Sequence, residues 1–195
     1  MNSCVICNDI VKYKRMRVIT GKYKGRSLVA PENVARPTLD RMKETLFNIL
    51  APKLSDACVL DLFAGSGQIA IECLSRGARR AILCDNSRDA LRAIEANFAK
   101  IGVKPEIEFC DFRTCLAQID EKLDLIYVDP PYKSKFYYEV LKEVDRLQLL
   151  NEDGWIVCEH SATDELPQTV GDLTLFDCRK MGTVKFSFYK RRLEV

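Results

Sequence analysis

The sequence predicts an α/β protein built on a doubly wound, mostly parallel sheet. From residue 58 onward, short apolar segments alternate with segments that have helical periodicity. Several of the apolar segments, such as AILC and LIYV, are continuously apolar, which is typical of parallel strands covered on both faces. After Pro167 the rhythm changes to strand, turn, strand, which predicts an antiparallel hairpin at the carboxyl end.

Each element follows from its local pattern. Gly21 and Gly25 within RVITGKYKGRSLVA indicate a small β-hairpin over residues 17–30. Thr38 is a suitable cap for a helix that ends near Ala51-Pro52, and Ser87 for one that ends at Gly102. Further helices are expected at 68–76 and 136–147, and strands at 58–61, 81–85, 106–110, 123–129, 155–159, 173–178 and 183–189.

Composition limits the class of protein. With 195 residues and 47% hydrophobic content, the chain suits one domain with a substantial core. It has no apolar run of the roughly 20 residues that cross a bilayer, and no cleavable signal pattern at its start. The nine cysteines are odd in number and mostly lie among apolar residues, which favours a reducing, cytoplasmic location. One histidine and a single CxxC (Cys4, Cys7) are too few ligands for a zinc site, so no metal is expected.

Charge is distributed unevenly along the chain. Residues 1–50 contain 10 basic and 4 acidic residues (net +6), whereas the remainder contains 20 and 24 (net −4). Seven basic residues and no acidic one lie between Lys12 and Arg26. A basic arm on a nearly neutral body indicates a polyanionic partner such as nucleic acid, and the alternative is a solvated hairpin.

Acidic residues follow the first three strands of the alternating region. Asp61 precedes the glycine-rich segment LFAGSG, while Asp85 and Asp111 follow the next two strands. Ligands of such sheets bind beyond the carboxyl ends of the strands. Because Asp61 would repel pyrophosphate but attract a cation, S-adenosylmethionine is favoured over NAD, although GSGQIA also fits the dinucleotide pattern. Helix or turn capping is the alternative role for Asp85 and Asp111.

The segment LIYVDPPY ends a buried strand with a carboxylate and two prolines. Pro130 holds Asp129 in extended conformation, so the Asp129 carboxylate and the Pro130 carbonyl become acceptors in fixed positions, beside the ring of Tyr132. Two acceptors and a stacking ring suit a planar ligand with an exocyclic amine, whose developing positive charge a carboxylate stabilises during methylation. An ordinary turn after the strand is the alternative.

Together these motifs resemble the bacterial RsmD family, which methylates guanine N2 in 16S ribosomal RNA. The segments that carry the resemblance are RVITGKYKGRSL, RPTLDRMKETLFNIL, VLDLFAGSGQIAIECLSRGA and VDPPY. The resemblance implies a Rossmann-like, S-adenosylmethionine-dependent methyltransferase fold. This fold has a seven-stranded, mostly parallel sheet, a C-terminal antiparallel hairpin, and a small N-terminal hairpin and helix that help to hold RNA.

The resemblance also implies roles for individual residues and a partner, 16S rRNA in the small subunit or an assembly intermediate. Donor-binding residues would be Asp61, Phe63, Ala64, Gly65, Ser66, Gly67, Asp85, Asn86, Asp111 and Phe112. Asp129, Pro130 and Tyr132 would be catalytic, and Lys22, Lys24, Arg26, Arg36, Thr38 and Pro131 would contact the RNA or the target base.

The expected organisation is an unassigned tail (1–16), an RNA-binding hairpin and helix (17–52) and a catalytic domain (53–195). Leu39 and Gln68 depart from the family pattern, and Gln68 could alter contacts with the donor. Two other functions remain open: methylation of adenine N6 in DNA, which uses DPPY too, and RNA binding without catalysis. The first would need a target-recognition region, and the second would need damage in the donor loop or in DPPY.

Overall fold

The computed structural model describes residues 13–31, 40–131 and 136–192. The strands are β1 (Tyr13–Arg17), β2 (Ser27–Pro31), β3 (Cys58–Asp61), β4 (Arg80–Cys84), β5 (Glu106–Glu108), β6 (Leu123–Val128), β7 (Leu150–Ser161), β8 (Thr169–Val170), β9 (Leu173–Met181) and β10 (Val184–Arg191). The helices are α1 (Asp40–Leu50), α2 (Gln68–Ser75), α3 (Arg88–Ile101), α4 (Phe112–Gln118) and α5 (Phe136–Arg146), and a 3₁₀ turn (Ala51–Lys53) follows α1.

One sheet organises the body of the protein, with the strand order β5-β4-β3-β6-β7-β10-β9-β8. The pairs among β3 to β7 are parallel, and β10 runs antiparallel to both β7 and β9. The mostly parallel sheet of seven strands with a C-terminal antiparallel hairpin is thus confirmed, and the two-residue β8 is added at the edge of β9.

Both faces of the sheet are covered, as the apolar strands predict. On one face, α4 and α5 pack through Phe112, Leu116 and Val140. On the other face, α1 packs through Leu46 and Phe47, and residues of α2 and α3 complete the core. The helix α4 was missed by the sequence analysis because it has only seven residues and its start falls where strand 106–110 was expected to end.

The small antiparallel sheet of β1 and β2 is fixed to the body by α2. Its first strand begins at Tyr13, so residues 13–16, which were expected in the unassigned tail, belong to the hairpin. Ser75 accepts a hydrogen bond from the Lys22 backbone at 2.7 Å through its carbonyl oxygen. A Cβ atom on Gly21 would lie 1.8 Å from that oxygen, and Gly21 has a φ of +88°, so glycine is needed at this contact.

Candidate active site at the carboxyl ends of the strands

The loop after β3 is held by backbone hydrogen bonds to both neighbouring strands, β6 and β4. The Leu62 amide donates to the carbonyl of Tyr127 on β6 at 3.0 Å, and the Ala64 amide donates to the carbonyl of Cys84 on β4 at 2.9 Å. Gly65 and Gly67 have positive φ, and a Cβ atom on Gly67 would lie 3.0–3.3 Å from the side chains of the core beneath. The loop is therefore a rigid cradle at the edge of the sheet where the sequence analysis placed the donor.

Two acceptors are buried where this cradle meets α2. Asp61 is only 2% exposed, and the amide of Ala70 donates to it over 3.3 Å. Burial, opposed by the Ala70 hydrogen bond and aided slightly by the charge of Asp85, raises the pKa of Asp61 to about 7. At the first position of α2, the buried Oε1 atom of Gln68 has no hydrogen-bond partner among the residues that the structure describes. A cationic ligand that donates hydrogen bonds would satisfy both acceptors, so the residues fit the ammonium end of S-adenosylmethionine.

Asp85 joins two loops. One carboxylate oxygen accepts from the Gly65 amide at 2.8 Å, and the other accepts from the Ser87 amide at 2.8 Å. The cap of α3 is Ser87, whose hydroxyl accepts from the Ala90 amide. Asp85 is half-buried and its neighbour Asn86 is exposed. Since each carboxylate oxygen has a second lone pair, the same group can also accept from a ligand hydroxyl.

Asp111 caps α4, which is the alternative role that the sequence analysis left open. Its carboxylate accepts from the amides of Arg113 and Thr114 and from the Thr114 hydroxyl at 2.6 Å. These bonds, with the Thr114 hydroxyl contributing most, lower the pKa of the exposed Asp111 carboxyl. Beside this cap, the rings of Phe63 and Phe112 lie 5.6 Å apart, so these two predicted donor residues meet in one aromatic cluster.

Asp129 follows β6 on the strand next to Asp61. The register pairs Asp61 with Tyr127, two residues before Asp129. Burial raises the pKa of the Asp129 carboxyl well above its usual range, followed in effect by the charges of Glu159 and Asp61. Asp129 is nevertheless exposed to solvent, which weakens the effect of burial. The upward shift of its pKa therefore depends mainly on the negative charges of Glu159 and Asp61. Pro130 is buried and Pro131 exposed.

Three predicted residues, Arg36, Thr38 and Tyr132, lie outside the described residues. Lys22, Lys24 and Arg26 are all exposed on the turn of the hairpin and available to a partner. Glu159 is not among the predicted site residues; it lies near the end of β7 with 9% exposure and accepts a hydrogen bond from the Tyr127 hydroxyl. Its position at the end of a predicted strand, at the same sheet edge as Asp129, is the feature of the sequence that could have identified it as a site residue.

Neither a metal cluster nor a membrane span is found in the part of the chain that the structure describes. Residues 13–31, 40–131 and 136–192 contain no grouping of three or more histidine, cysteine, aspartate or glutamate side chains that could hold a metal ion. Over the same ranges no helix combines the length and apolar character needed to cross a bilayer.

The fold and the loop geometry together define a Rossmann-like methyltransferase of the S-adenosylmethionine-dependent class. The structure matches that of the putative methyltransferase yhhF of Escherichia coli with a TM-score of 0.82 and 31% identity, over 93% of this chain and 100% of the other. The fold is also shared with the Thermus thermophilus 16S rRNA N2 G1207 methyltransferase RsmC, solved with AdoMet and guanosine, with a TM-score of 0.72 and 16% identity, over 93% of this chain and 50% of that one.

The family is narrower than this class. The family model described as conserved hypothetical protein 95 matches residues 16–190. The chain is 38% identical to the putative rRNA methyltransferase YlbH of Bacillus subtilis, over 91% of this chain and 100% of the relative. It is 31% identical to the ribosomal RNA small subunit methyltransferase D of E. coli, over 92% of each. The chain therefore belongs to the RsmD family.

Proposed function

We propose that this protein transfers a methyl group from S-adenosylmethionine to the exocyclic N2 of a guanine in 16S rRNA of the small ribosomal subunit. The observation that carries the proposal is the adjacency of two sites on neighbouring strands. The cradle with Asp61 ends β3, and Asp129 follows β6 directly beside it. A donor held in the cradle and a base held by Asp129 would therefore meet at the sheet edge, which suits transfer between two positioned reactants.

The donor end of this site would be held by acceptors. S-adenosylmethionine, when bound, supplies an electrophilic methyl group on a sulfonium. Asp61 and the unpartnered Oε1 of Gln68 would accept from its ammonium group, and Asp85 would accept from its ribose hydroxyls. Phe63 and Phe112 would border the adenine ring.

The target end would be held by Asp129 and Pro130. The Asp129 carboxylate and the Pro130 carbonyl would accept the two N–H hydrogens of the guanine amine. This orients the nitrogen lone pair, which is otherwise delocalised into the ring, toward the methyl group. Positive charge develops on the nitrogen during transfer, and the carboxylate stabilises that charge. The base must be unpaired or extruded from its stack to reach this position.

The RNA would be bound by the basic hairpin. Lys22, Lys24 and Arg26 are exposed on one turn, and the backbone amides of Lys22 and Tyr23 donate hydrogen bonds to Ser75 at the end of α2. Phosphate contacts there would position the substrate without reading its sequence. The names of the relatives from B. subtilis and E. coli support ribosomal RNA as this substrate.

The experiment that tests the proposal uses small ribosomal subunits that lack guanine-N2 methylation. They are incubated with the protein and S-adenosylmethionine, and their nucleosides are measured by mass spectrometry. The expected product is N2-methylguanosine alone. Failure to form it, with methylation of adenine in DNA by the same protein, would replace the guanine assignment with the adenine one.

The role of Asp129 is tested in the same assay. Asp129→Asn retains the shape of the side chain but removes its negative charge, so the methylation rate should fall by about 100-fold or more while donor affinity is retained. Asp153→Asn, at an exposed position on β7, is the matched control and should leave the rate unchanged. Equal rates for Asp129→Asn and the wild type would eliminate the proposed role of Asp129.

A further inference from the structure

Glu159 lies beside Asp129 because of the register between β6 and β7. The two strands are parallel, with Tyr127 opposite Val157 and Val128 opposite Cys158. Continuing this register by one residue places Asp129 opposite Glu159. Side chains alternate along a strand, so Asp129 shares a face with Tyr127, and Glu159 shares that face with Val157.

The Glu159 carboxylate is held in place from two sides. The Tyr127 hydroxyl donates to its Oε2 atom, which links the side chain to the strand that carries Asp129. The Tyr137 hydroxyl of α5 donates to the Glu159 backbone carbonyl at 2.8 Å. The residue is 9% exposed and pairs with Phe186 on β10. Glutamate is rarely buried to this extent without a specific role or partner.

We propose that Glu159 is a positioning residue that forms, together with Asp129, a two-carboxylate unit which takes up and shares the single proton lost by the substrate amine. This inference rests on the proposed function, since methyl transfer to an amine is the source of that proton. Two carboxylates in close proximity do not both ionise readily, which is the physical basis for sharing a proton.

The balance of the reaction requires such a proton acceptor. When the N–C bond forms, the C–S bond breaks and its electron pair remains on sulfur. The methylated nitrogen then carries one proton too many, and the N–H electron pair returns to the nitrogen when that proton leaves. Asp129 contacts the amine and receives the proton, while Glu159 shares it and keeps Asp129 available as an acceptor for the next substrate.

The electrostatics of the surrounding groups agree with this geometry. Burial and the Glu159 charge raise the pKa of the Tyr127 hydroxyl well above its usual range, so Tyr127 stays a hydrogen-bond donor. The described titratable groups that face the pair are Asp61 from β3, Tyr127 from β6 and Tyr137 from α5, while β10 presents the apolar Phe186. Asp61 adds negative charge, which favours retention of a proton by the pair.

The first test is a titration of the ligand-free protein. Carboxyl carbons of aspartate are labelled with ¹³C, and the Asp129 resonance is assigned by its loss in Asp129→Asn. In Glu159→Gln the neighbouring negative charge is removed, so Asp129 should titrate about one pH unit or more lower than in the wild type. An Asp129 titration that is unchanged in Glu159→Gln would overturn the proposal.

A second variant keeps both carboxylates and guards against misfolding. Tyr127→Phe removes only the hydroxyl that stabilises ionised Glu159, so Glu159 should take the shared proton more often. At a given pH in the transition, Asp129 should then be ionised to a greater extent than in the wild type. The same ionised fraction in both proteins would contradict the proposal.

The kinetic test measures the pH profile of single-turnover methylation. In Glu159→Gln the acid limb should move to lower pH and the maximal rate should fall about tenfold, with unchanged donor affinity. The control is Glu165→Gln, which alters an exposed carboxylate paired with Lys185. It should change neither the acid limb nor the maximal rate. A lower rate with an unmoved acid limb would indicate a structural role only and overturn the proposal.

The two levels of the proposal fail separately. If the wild type methylates guanine but the Asp129 titration is the same in Glu159→Gln, the carboxylate pair is refuted and the proposed function stands. A shifted titration in a protein without methylation activity would overturn the proposed function and support the carboxylate pair.

Discussion

The side-chain amide of Asn97 donates a hydrogen bond to the backbone carbonyl of Ser66 at 2.9 Å, in the interior of the protein. Asn97 is fully buried on α3, and it also exchanges two hydrogen bonds with the backbone of Val29 in the hairpin, at 2.7 and 2.8 Å. One side chain therefore connects the basic hairpin to the glycine-rich cradle. We therefore expect the geometry of the donor site to depend on the hairpin.

Replacing Asn97 tests this connection. Asn97→Ala leaves backbone groups of Val29 and Ser66 without their partner, which should lower the free energy of unfolding by about 2 kcal/mol or more. Donor affinity should fall as well, because Ser66 is no longer fixed. Denaturant unfolding and calorimetric titration with S-adenosylhomocysteine measure the two effects. Glu95→Ala, an exposed position on the same helix, is the control, and equal donor affinity in both variants would refute the connection.

A buried ion pair anchors the same hairpin at its other side. Lys43 of α1 and Glu72 of α2 approach to 3.5 Å with side chains that are fully buried. The Lys43 ammonium also donates to the Arg17 carbonyl, and Glu72 accepts from the Ile19 amide. Loss of hydration on burial lowers the pKa of Lys43, although the negative charges of Glu72 and Asp40 oppose this shift.

Removing one partner should therefore cost more than removing both charges. Lys43→Met leaves the buried Glu72 with Arg76 as its remaining cation at 3.2 Å, so it should lower the free energy of unfolding by about 2–3 kcal/mol, less than for a charge left wholly uncompensated. Glu72→Gln retains the Ile19 hydrogen bond, so the double variant Lys43→Met/Glu72→Gln should recover part of that loss. Urea denaturation of the wild type, both single variants and the double variant gives the coupling energy. Strictly additive losses would show that the pair is not coupled.

Sequence patterns predicted the fold better than the local roles of its polar residues. The parallel sheet was predictable because continuously apolar strands have few other stable arrangements. Asp111 as a helix cap was left as an alternative because Phe112–Gln118 is too short to show a helical period. Lys43 and Asn97 were overlooked because their partners, Glu72 and Val29, lie 29 and 68 residues away along the chain and only the fold brings them together.

Asp61 makes donor binding depend on pH. Its carboxyl group has a pKa of about 7 in the folded chain, against an ordinary value of 3.8, because burial favours the neutral form. Binding of a cationic ammonium favours the ionised form, so binding should release a proton. The dissociation constant of S-adenosylmethionine should fall as pH rises from 5.5 toward 7 and level off above it, by up to about tenfold per unit.

The controls for this dependence use both the protein and the ligand. Asp61→Asn should bind weakly at every pH, without the slope. S-adenosylhomocysteine retains the ammonium group and should show the slope, whereas methylthioadenosine lacks it and should not. Calorimetry in two buffers with different ionisation enthalpies counts the protons released. A flat profile for the wild type would show that Asp61 does not face the ammonium group.

The same shift predicts how stability depends on pH without ligand. Between pH 3.8 and about 7 the folded chain holds a proton on Asp61 that the unfolded chain has lost. The contribution of Asp61 to stability therefore falls as pH rises through this window. Asp61→Asn has no charge to bury, so at pH 8 it should unfold at higher denaturant concentration than the wild type. The opposite order at pH 8 would contradict the burial of an ionised Asp61.

Gln68 provides a test of donor recognition that is specific to this chain. Its Oε1 atom is buried and has no partner in the described part of the chain, which costs about 1–3 kcal/mol that a ligand donor could recover. Gln68→Ala should therefore weaken donor binding while leaving the unfolding free energy unchanged or higher. Calorimetry and denaturation on the same preparations separate the two effects. Unchanged donor affinity in Gln68→Ala would show that the ligand does not bond this atom.

The exposed cations of the hairpin should determine how RNA affinity depends on salt. The side chains of Lys22, Lys24 and Arg26 are exposed, so reversing all three charges should weaken RNA binding while the fold is retained. The slope of log affinity against log salt should decrease by about two to three, because three phosphate contacts no longer release counterions. Filter binding of 16S rRNA fragments between low and physiological salt measures the slope.

The control reverses the charges of Arg79 and Lys122, two exposed cations that precede β4 and β6. They lie at the amino ends of parallel strands, opposite to the edge that carries Asp61 and Asp129, so RNA bound across the site should not reach them. Their reversal should leave the slope nearly unchanged. If both sets of variants reduced the slope by the same amount, the RNA would be attracted by overall charge, and the hairpin would not be its specific contact.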